Sequence, residues 1–182
     1  MVQTRESSDA LQKPVPFSRP PVEVFVGNAA FHRCFCGMLD SARSEILDYV
    51  VPEQQPDEYD QEILAAYARA LKRRIRCRTL ITAADLVLVQ GTWTPTFDLR
   101  KFLDRFDHIR LVDRVRGPFT VIDCERVLLN LESALQPGHY GTSVVLHDSA
   151  LASRLAEQFS HMWEETAVHQ EELIDRFERR IA

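Results

Sequence analysis

Short apolar runs alternate with longer amphipathic stretches along the chain. The short runs are bounded by turn residues and predict strands at 22–26, 45–51, 76–82, 109–112, 119–123, 126–131 and 143–146. The longer stretches have apolar residues three and four positions apart. They predict helices at about 29–43, 57–74 and 97–106, and a long helix that Asp148 or Ser149 begins. Residues 85–89 fit a short helix or a strand. Because strand and helix alternate in the first half, the pattern predicts an α/β fold with a parallel sheet layered by helices.

Three of these strands follow one another between residues 108 and 131 with no helix between them. An Arg-Gly-Pro break precedes the middle strand, and the residues Asp123-Cys124-Glu125 turn the chain after it. We therefore expect 119–123 to be a central strand of the sheet.

The two ends of the chain differ from this pattern. Residues 1–20 are polar and proline-rich and predict a disordered leader, which leaves 21–167 as the folded domain. Residues 168–182 predict a separate amphipathic helix. Its apolar stripe suits a homodimer or a partner's helix, so we expect an interaction surface there rather than core. The stripe consists of Leu173, Ile174, Phe177 and Ile181.

Composition narrows the class of protein. The 182 residues are 45% hydrophobic and 27% charged, which is ordinary for a globular domain. The net charge of −5 does not favour nucleic acid or anionic membrane as a partner of the whole surface. No apolar run approaches the roughly 20 residues of a membrane span, and no signal core follows Met1, so a cytoplasmic location is expected. The four cysteines show no disulfide spacing, and neither a metal nor a cofactor is predicted.

Four segments, 22–47, 66–80, 116–131 and 143–167, resemble the phospholipase-D-like effector domain of TrmB-type transcriptional regulators. Similar strings occur in actinobacterial regulators that join this domain to a LuxR-type helix-turn-helix. The resemblance implies a phospholipase-D-like fold: a mixed, largely parallel sheet flanked by helices, with a long C-terminal helix. No helix-turn-helix is evident in this sequence, so a DNA-binding partner protein is expected instead.

The resemblance also bears on catalysis. Enzymes of the family carry H-x-K-x4-D, with the histidine as nucleophile and the lysine on phosphate. With Asp123 as the acid, the histidine position holds Arg116 and the lysine position holds Pro118. We therefore expect no enzyme activity. The expected function is a catalytically inactive regulatory domain that senses a small-molecule effector or mediates protein interaction. The alternative is a phosphodiesterase or nuclease that uses His139 or His32 in an atypical site.

Five residues are candidates for ligand contact. The guanidinium of Arg116 could hold a carboxylate, phosphate or sugar hydroxyl, or it could be a solvated turn residue. Asp123 could contact the ligand or bond its own turn. Trp93, His139 and Tyr140 lie in loops near the expected ligand mouth, where they could stack on a ligand or cap the core.

Cysteines and basic residues offer two further hypotheses. Cys34 and Cys36 are two positions apart on a helix, so they point away from each other and favour buried thiols over a metal site. Cys77 lies between two arginines that could lower its pKa and make it a redox sensor. The basic cluster between Arg69 and Arg78 could meet a phosphate backbone, or it could collect at a helix C-terminus.

Overall fold

The computed structural model describes residues 22–50, 60–89, 99–104, 106–132 and 142–181. These residues form seven strands and five helices. The strands are β1 (Val22–Val26), β2 (Glu45–Tyr49), β3 (Arg76–Thr82), β4 (Ile109–Val112), β5 (Phe119–Ile122), β6 (Arg126–Leu131) and β7 (Thr142–Leu146). The helices are α1 (Asn28–Ser41), α2 (Asp60–Lys72), α3 (Ala83–Val89), α4 (Leu99–Leu103) and α5 (Ser149–Ile181). The ambiguous segment 85–89 is thus helical. The predicted leader lies outside the described residues.

All seven strands belong to one sheet with the order β1-β7-β6-β5-β2-β3-β4. The predicted α/β fold with a mixed sheet is confirmed, and β5 is its central strand. The expectation of a largely parallel sheet is wrong. Only β2, β3 and β4 run parallel to one another, and the remaining pairs are antiparallel. The reason is that helical crossovers return the chain parallel, whereas a tight turn such as that between β5 and β6 permits only antiparallel neighbours.

The turn between β5 and β6 is set by two left-handed residues. Asp123 and Cys124 have φ angles of 56° and 53°, and the amide of Glu125 donates to the Ile122 carbonyl at 3.0 Å. Two successive positive φ values match the right-handed twist of a hairpin. The turn therefore fixes the register in which β5 pairs with β6.

Helices cover both faces of the sheet. On one face, α1 and α2 bury a cluster centred on Leu39, Ile46 and Ile122. On the other face, α5 packs Phe159 and Trp163 against β2 and β5. The α5 helix begins where predicted, because the carboxylate of Asp148 accepts hydrogen bonds from the amides of Ala150 and Leu151 at 2.9 and 3.0 Å. No helix among the described residues has the length and hydropathy needed to cross a bilayer.

The α5 helix continues through the boundary predicted at 167/168 and runs beside the edge strand β4. The side chain of Gln170 accepts a hydrogen bond from the Leu111 amide at 3.0 Å, and the Trp163 carbonyl accepts one from Arg110. The guanidinium carbon of Arg110 lies 4.3 Å from the Trp163 ring centroid. These contacts cover an edge that would otherwise expose backbone groups.

Ile174 of the predicted interaction stripe is therefore core, and Leu173 and Phe177 are half-buried beside it. Ile174 is 2% exposed and packs with Leu173 and Phe177 into a cluster that also holds Leu86 and Leu111. The prediction was wrong because α5 does not stop at the end of the sheet but reaches over α3 and β4. The fourth member, Ile181, has a side chain outside the described ones.

A buried carboxylate joins the sheet to α2. Asp48 on β2 accepts hydrogen bonds from the hydroxyl of Thr120 at 2.6 Å and from the phenol of Tyr67. Burial raises the pKa of Asp48 to about 6, although both hydrogen bonds lower it. The same burial, together with the Asp48 charge, raises the pKa of Tyr67, so that the phenol remains a donor.

This carboxylate predicts a pH-dependent stability. The pKa of Asp48 rises on folding from 3.8 to about 6, so its favourable contribution is complete below pH 3.8 and is lost as pH rises through 6. Replacing Asp48 by Asn removes that loss. The free energy of unfolding of the variant relative to wild type should therefore rise by about 2–3 kcal/mol between pH 4 and 7 in urea titrations. A pH profile of Asp48→Asn that is the same as that of wild type would contradict the assignment.

Candidate functional site

A groove opens where the carboxyl ends of the parallel strands β2, β3 and β4 meet α5. It consists of two adjoining clefts of about 420 and 370 Å³. Ligands of layered α/β proteins bind at this end of the strands. Both clefts share the following five residues: Val112, Asp113, Arg114, Leu173 and Arg176.

The groove combines apolar surface with charges of both signs. Tyr49, Met162 and Leu173 supply apolar lining to the larger cleft. Between the two clefts, the guanidinium of Arg176 pairs with Asp113 and Glu172, each at 2.8 Å. Arg114 makes no ion pair among the described residues. The lining therefore offers a free guanidinium beside apolar surface, which suits a small ligand that has an anionic or hydroxyl-bearing group.

The phenol of Tyr49 fixes the loop that leads into β5. It donates a hydrogen bond to the Arg114 carbonyl and accepts one from the Arg116 amide, both at 3.1 Å. Arg116 is thus held through its backbone, while its exposed side chain has no ion pair or hydrogen bond among the described residues. It lies next to the groove and is not one of the residues that line the two clefts. Ligand contact by Arg116 stays a prediction.

Asp123 lies at the opposite end of β5. Its carboxylate bonds neither its own turn nor an open ligand site, which were the two predictions, but the chain just before and at the start of β2. Its carboxylate accepts hydrogen bonds from the amides of Arg43, Ser44 and Glu45 at 2.8 to 3.2 Å, and from the Ser44 hydroxyl at 2.9 Å. The side chain is 4% exposed. Burial raises the pKa of Asp123, but these hydrogen bonds lower it by more, so the pKa lies below its usual value. With its oxygens satisfied inside the protein, Asp123 is not available as a ligand contact.

Solved structures share this arrangement of strands and helices. The archaeal chromatin protein TrmBL2, whose structure shows a novel mode of DNA binding, superposes with a TM-score of 0.61 at 19% identity, over 84% of this chain and 53% of TrmBL2. The phospholipase D family member Nuc from Salmonella typhimurium gives 0.55 at 15% identity, over 79% of this chain and 95% of Nuc. Phosphatidylserine synthase from Haemophilus influenzae gives 0.52 at 17%, over 75% and 35%. The chain has a phospholipase-D-like fold.

These similarities establish the fold alone, because all identities are low. The chain spans about half the length of TrmBL2. No family model and no curated protein sequence matches the chain.

Of the remaining candidates, three lie outside the described residues: Trp93, His139 and Tyr140. His32, the second candidate nucleophile, is buried on α1 and meets Phe31 edge to face. A phosphodiester cannot reach it there. Sequence reasoning missed Tyr49 and Arg114, because a strand-end tyrosine and a loop arginine carry no motif of their own.

Burial raises the pKa of all four cysteine thiols. Burial raises the pKa of Cys34 and of Cys77 to about 11. The prediction of a lowered pKa for Cys77 was wrong because successive strand residues face opposite sides of the sheet. Cys77 points into the α1 and α2 layer, whereas Arg78 lies over Trp163 in the α5 layer. Among the described residues, no group of three potential ligands is arranged to hold a metal.

The basic cluster between Arg69 and Arg78 is divided between the α2 helix and the β3 strand. Arg69 pairs with Asp40 on α1 at 2.8 Å, and Arg76 pairs with Glu45 at 2.6 Å. Arg78 belongs to the α5 side of the sheet. The cluster therefore does not form one continuous surface for a phosphate backbone.

The role of Asp123 can be tested by stability. Asp123→Ala leaves three amides without their acceptor and should lower the free energy of unfolding by about 2 kcal/mol in urea titrations at pH 7. Because the folded pKa is depressed, the difference should shrink as pH falls through that pKa. Asp113→Ala, which removes one exposed ion pair, is the matched control and should cost no more than about 0.5 kcal/mol. Equal losses in both variants would refute the anchoring role.

Proposed function

We propose that this chain is a catalytically silent phospholipase-D-like domain that binds a small effector in the strand-end groove and acts in transcriptional regulation through a DNA-binding partner protein. The likeness to TrmBL2, which binds DNA and of which this chain spans about half, supports the regulatory setting. The groove supports ligand binding.

One observation supports the proposal that the domain is catalytically silent. Hydrolysis by the phospholipase D route needs an imidazole that attacks phosphorus and a cation that grips phosphate. The corresponding positions before β5 hold the exposed side chain of Arg116 and the buried ring of Pro118. A guanidinium is protonated at all physiological pH values and cannot act as a nucleophile. The same group can bind an anion, which favours recognition over turnover.

The lining indicates the class of effector. Tyr49 and Met162 offer contact to an apolar or ring portion, while Arg114 offers a paired hydrogen-bond donor to a carboxylate or phosphate. Sugar phosphates, nucleotides and small organic acids combine these features. We propose such a metabolite as the ligand.

A thermal-shift screen against these compounds tests the proposal. A ligand at a hundred times its Kd should stabilise the domain by about 2.7 kcal/mol and raise Tm accordingly. Arg114→Ala should abolish the shift for anionic ligands, whereas Arg33→Ala, which removes an exposed arginine from the opposite layer, should preserve it. A screen without any stabilising compound, or a shift that survives Arg114→Ala undiminished, would count against binding in the groove.

The runner-up function is a phosphodiesterase with an atypical site, because His169 lines the larger cleft. We expect no turnover of generic phosphodiester substrates, since the described lining holds His169 as its one imidazole, and a second would be needed to protonate the leaving group. Turnover that disappears in His169→Ala or His139→Ala, but persists in His161→Ala on the solvent side of α5, would reverse the ranking.

A further inference from the structure

The two edges of the sheet are treated differently. At one edge, α5 covers β4, where Gln170 accepts a hydrogen bond from the Leu111 amide and the Trp163 carbonyl accepts one from the Arg110 side chain. At the other edge, β1 pairs with β7 on one side, and no described element pairs with its outer side. An unpaired strand edge presents a row of free amides and carbonyls to any strand that can align with it.

The side chains of β1 make this edge apolar on one face. Val22, Val24 and Val26 are 48%, 61% and 74% exposed. They lie on the α5 side of the sheet, because Phe25 between them packs into the opposite layer. The apolar surface continues across β7 at Val144 and onto β6, where Leu131 is 45% exposed. Exposed apolar surface of this continuity marks an interaction site.

We propose that β1 pairs with β1 of a second copy of this chain, antiparallel about a two-fold axis at Val24, and so joins the two sheets into one. This inference does not rest on ligand binding in the groove. It places the expected homodimer contact at β1 and not at the C-terminal stripe, because that stripe packs against the core of the same chain.

The sequence of β1 is complementary to itself in this arrangement. The strand has five residues, since Pro21 before it has no amide to donate and Gly27 follows it. Full overlap therefore places Val24 opposite its own copy and Val22 opposite Val26, all on the apolar face. On the other face, Glu23 lies opposite Phe25, so no like charges meet.

The carboxylate of β1 also already has a hydrogen-bond partner. The Oε1 atom of Glu23 lies 2.7 Å from Nε2 of His147 in the same chain, within hydrogen-bond distance. Two copies can therefore approach without bringing an unpaired carboxylate into the contact. A strand of another protein would have to match the same apolar alternation, whereas a second copy matches it by symmetry.

A charge swap at the proposed axis tests this geometry. Sedimentation velocity should show wild type as a dimer at high concentration. Val24→Lys places two ammonium groups opposite each other and should raise the dimer dissociation constant by about 100-fold or more, and Val24→Glu should do the same. An equimolar mixture of the two variants should recover the dimer. If position 24 faces position 24 of the second copy, the mixed dimer places the lysine of one variant opposite the glutamate of the other.

Two controls keep the result interpretable. Val168→Lys alters an exposed apolar residue on α5 and should leave the dimer intact. Val24→Thr keeps the β-branched shape and should weaken the dimer while circular dichroism remains that of wild type. A monomeric wild type, unchanged dimers in both Val24 variants, or variants that fail to recombine would overturn the proposal. A wild type that dimerises only after residues 1–21 are removed would show that this segment occupies the strand instead.

Discussion

The carboxylate of Asp123 joins two parts of the chain that are far apart in sequence. Its hydrogen bonds to the amides of Arg43, Ser44 and Glu45 tie the β5–β6 turn to the loop between α1 and β2. The Asp123 amide also donates to the Glu45 carbonyl at 3.0 Å. This contact begins the antiparallel register in which Ile46 faces Ile122 and Tyr49 faces Phe119. The register in which β5 pairs with β2 therefore depends on this acid.

This architectural role accounts for an acid at this position whatever the chemistry of the chain. The carboxylate is satisfied by backbone amides at the amino end of β2, whereas Arg116 and the groove lie at the carboxyl end. Loss of the nucleophile leaves the folding requirement for the acid unchanged. An acid at this position is consequently poor evidence for catalysis in chains of this fold.

Much of the fold follows from local pattern, and the errors have a common cause. The strand bounds 22–26, 76–82, 109–112 and 126–131 are those of the structure, because β-branched alternation is a local signal. Strand order is not local, so the sheet was expected to be more parallel than it is. Periodicity likewise identified the apolar stripe at Ile174 but not the surface that it covers.

The candidate site shows the same division. Turn chemistry predicted the bend at Asp123, yet its partners Ser44 and Glu45 are about 80 positions away and carry no signal that points to it. The pKa of Cys77 was misjudged because neighbours in sequence lie on opposite faces of a strand. Sequence spacing identifies which residues share an element, and only the assembled sheet determines which of them share a surface.

The loop before β5 departs from the H-x-K pattern in more than two side chains. Pro118 is buried, so a lysine there would place an ammonium in the protein interior, where desolvation opposes its charge. The loop that would present a histidine at position 116 is held by the Tyr49 phenol through the Arg114 carbonyl and the Arg116 amide. The backbone before β5 is thus arranged around a tyrosine hydrogen bond and a proline rather than around a phosphate. A loop with this construction is suited to form the wall of a binding groove, and a histidine at 116 with a lysine at 118 would require the loop itself to be rebuilt.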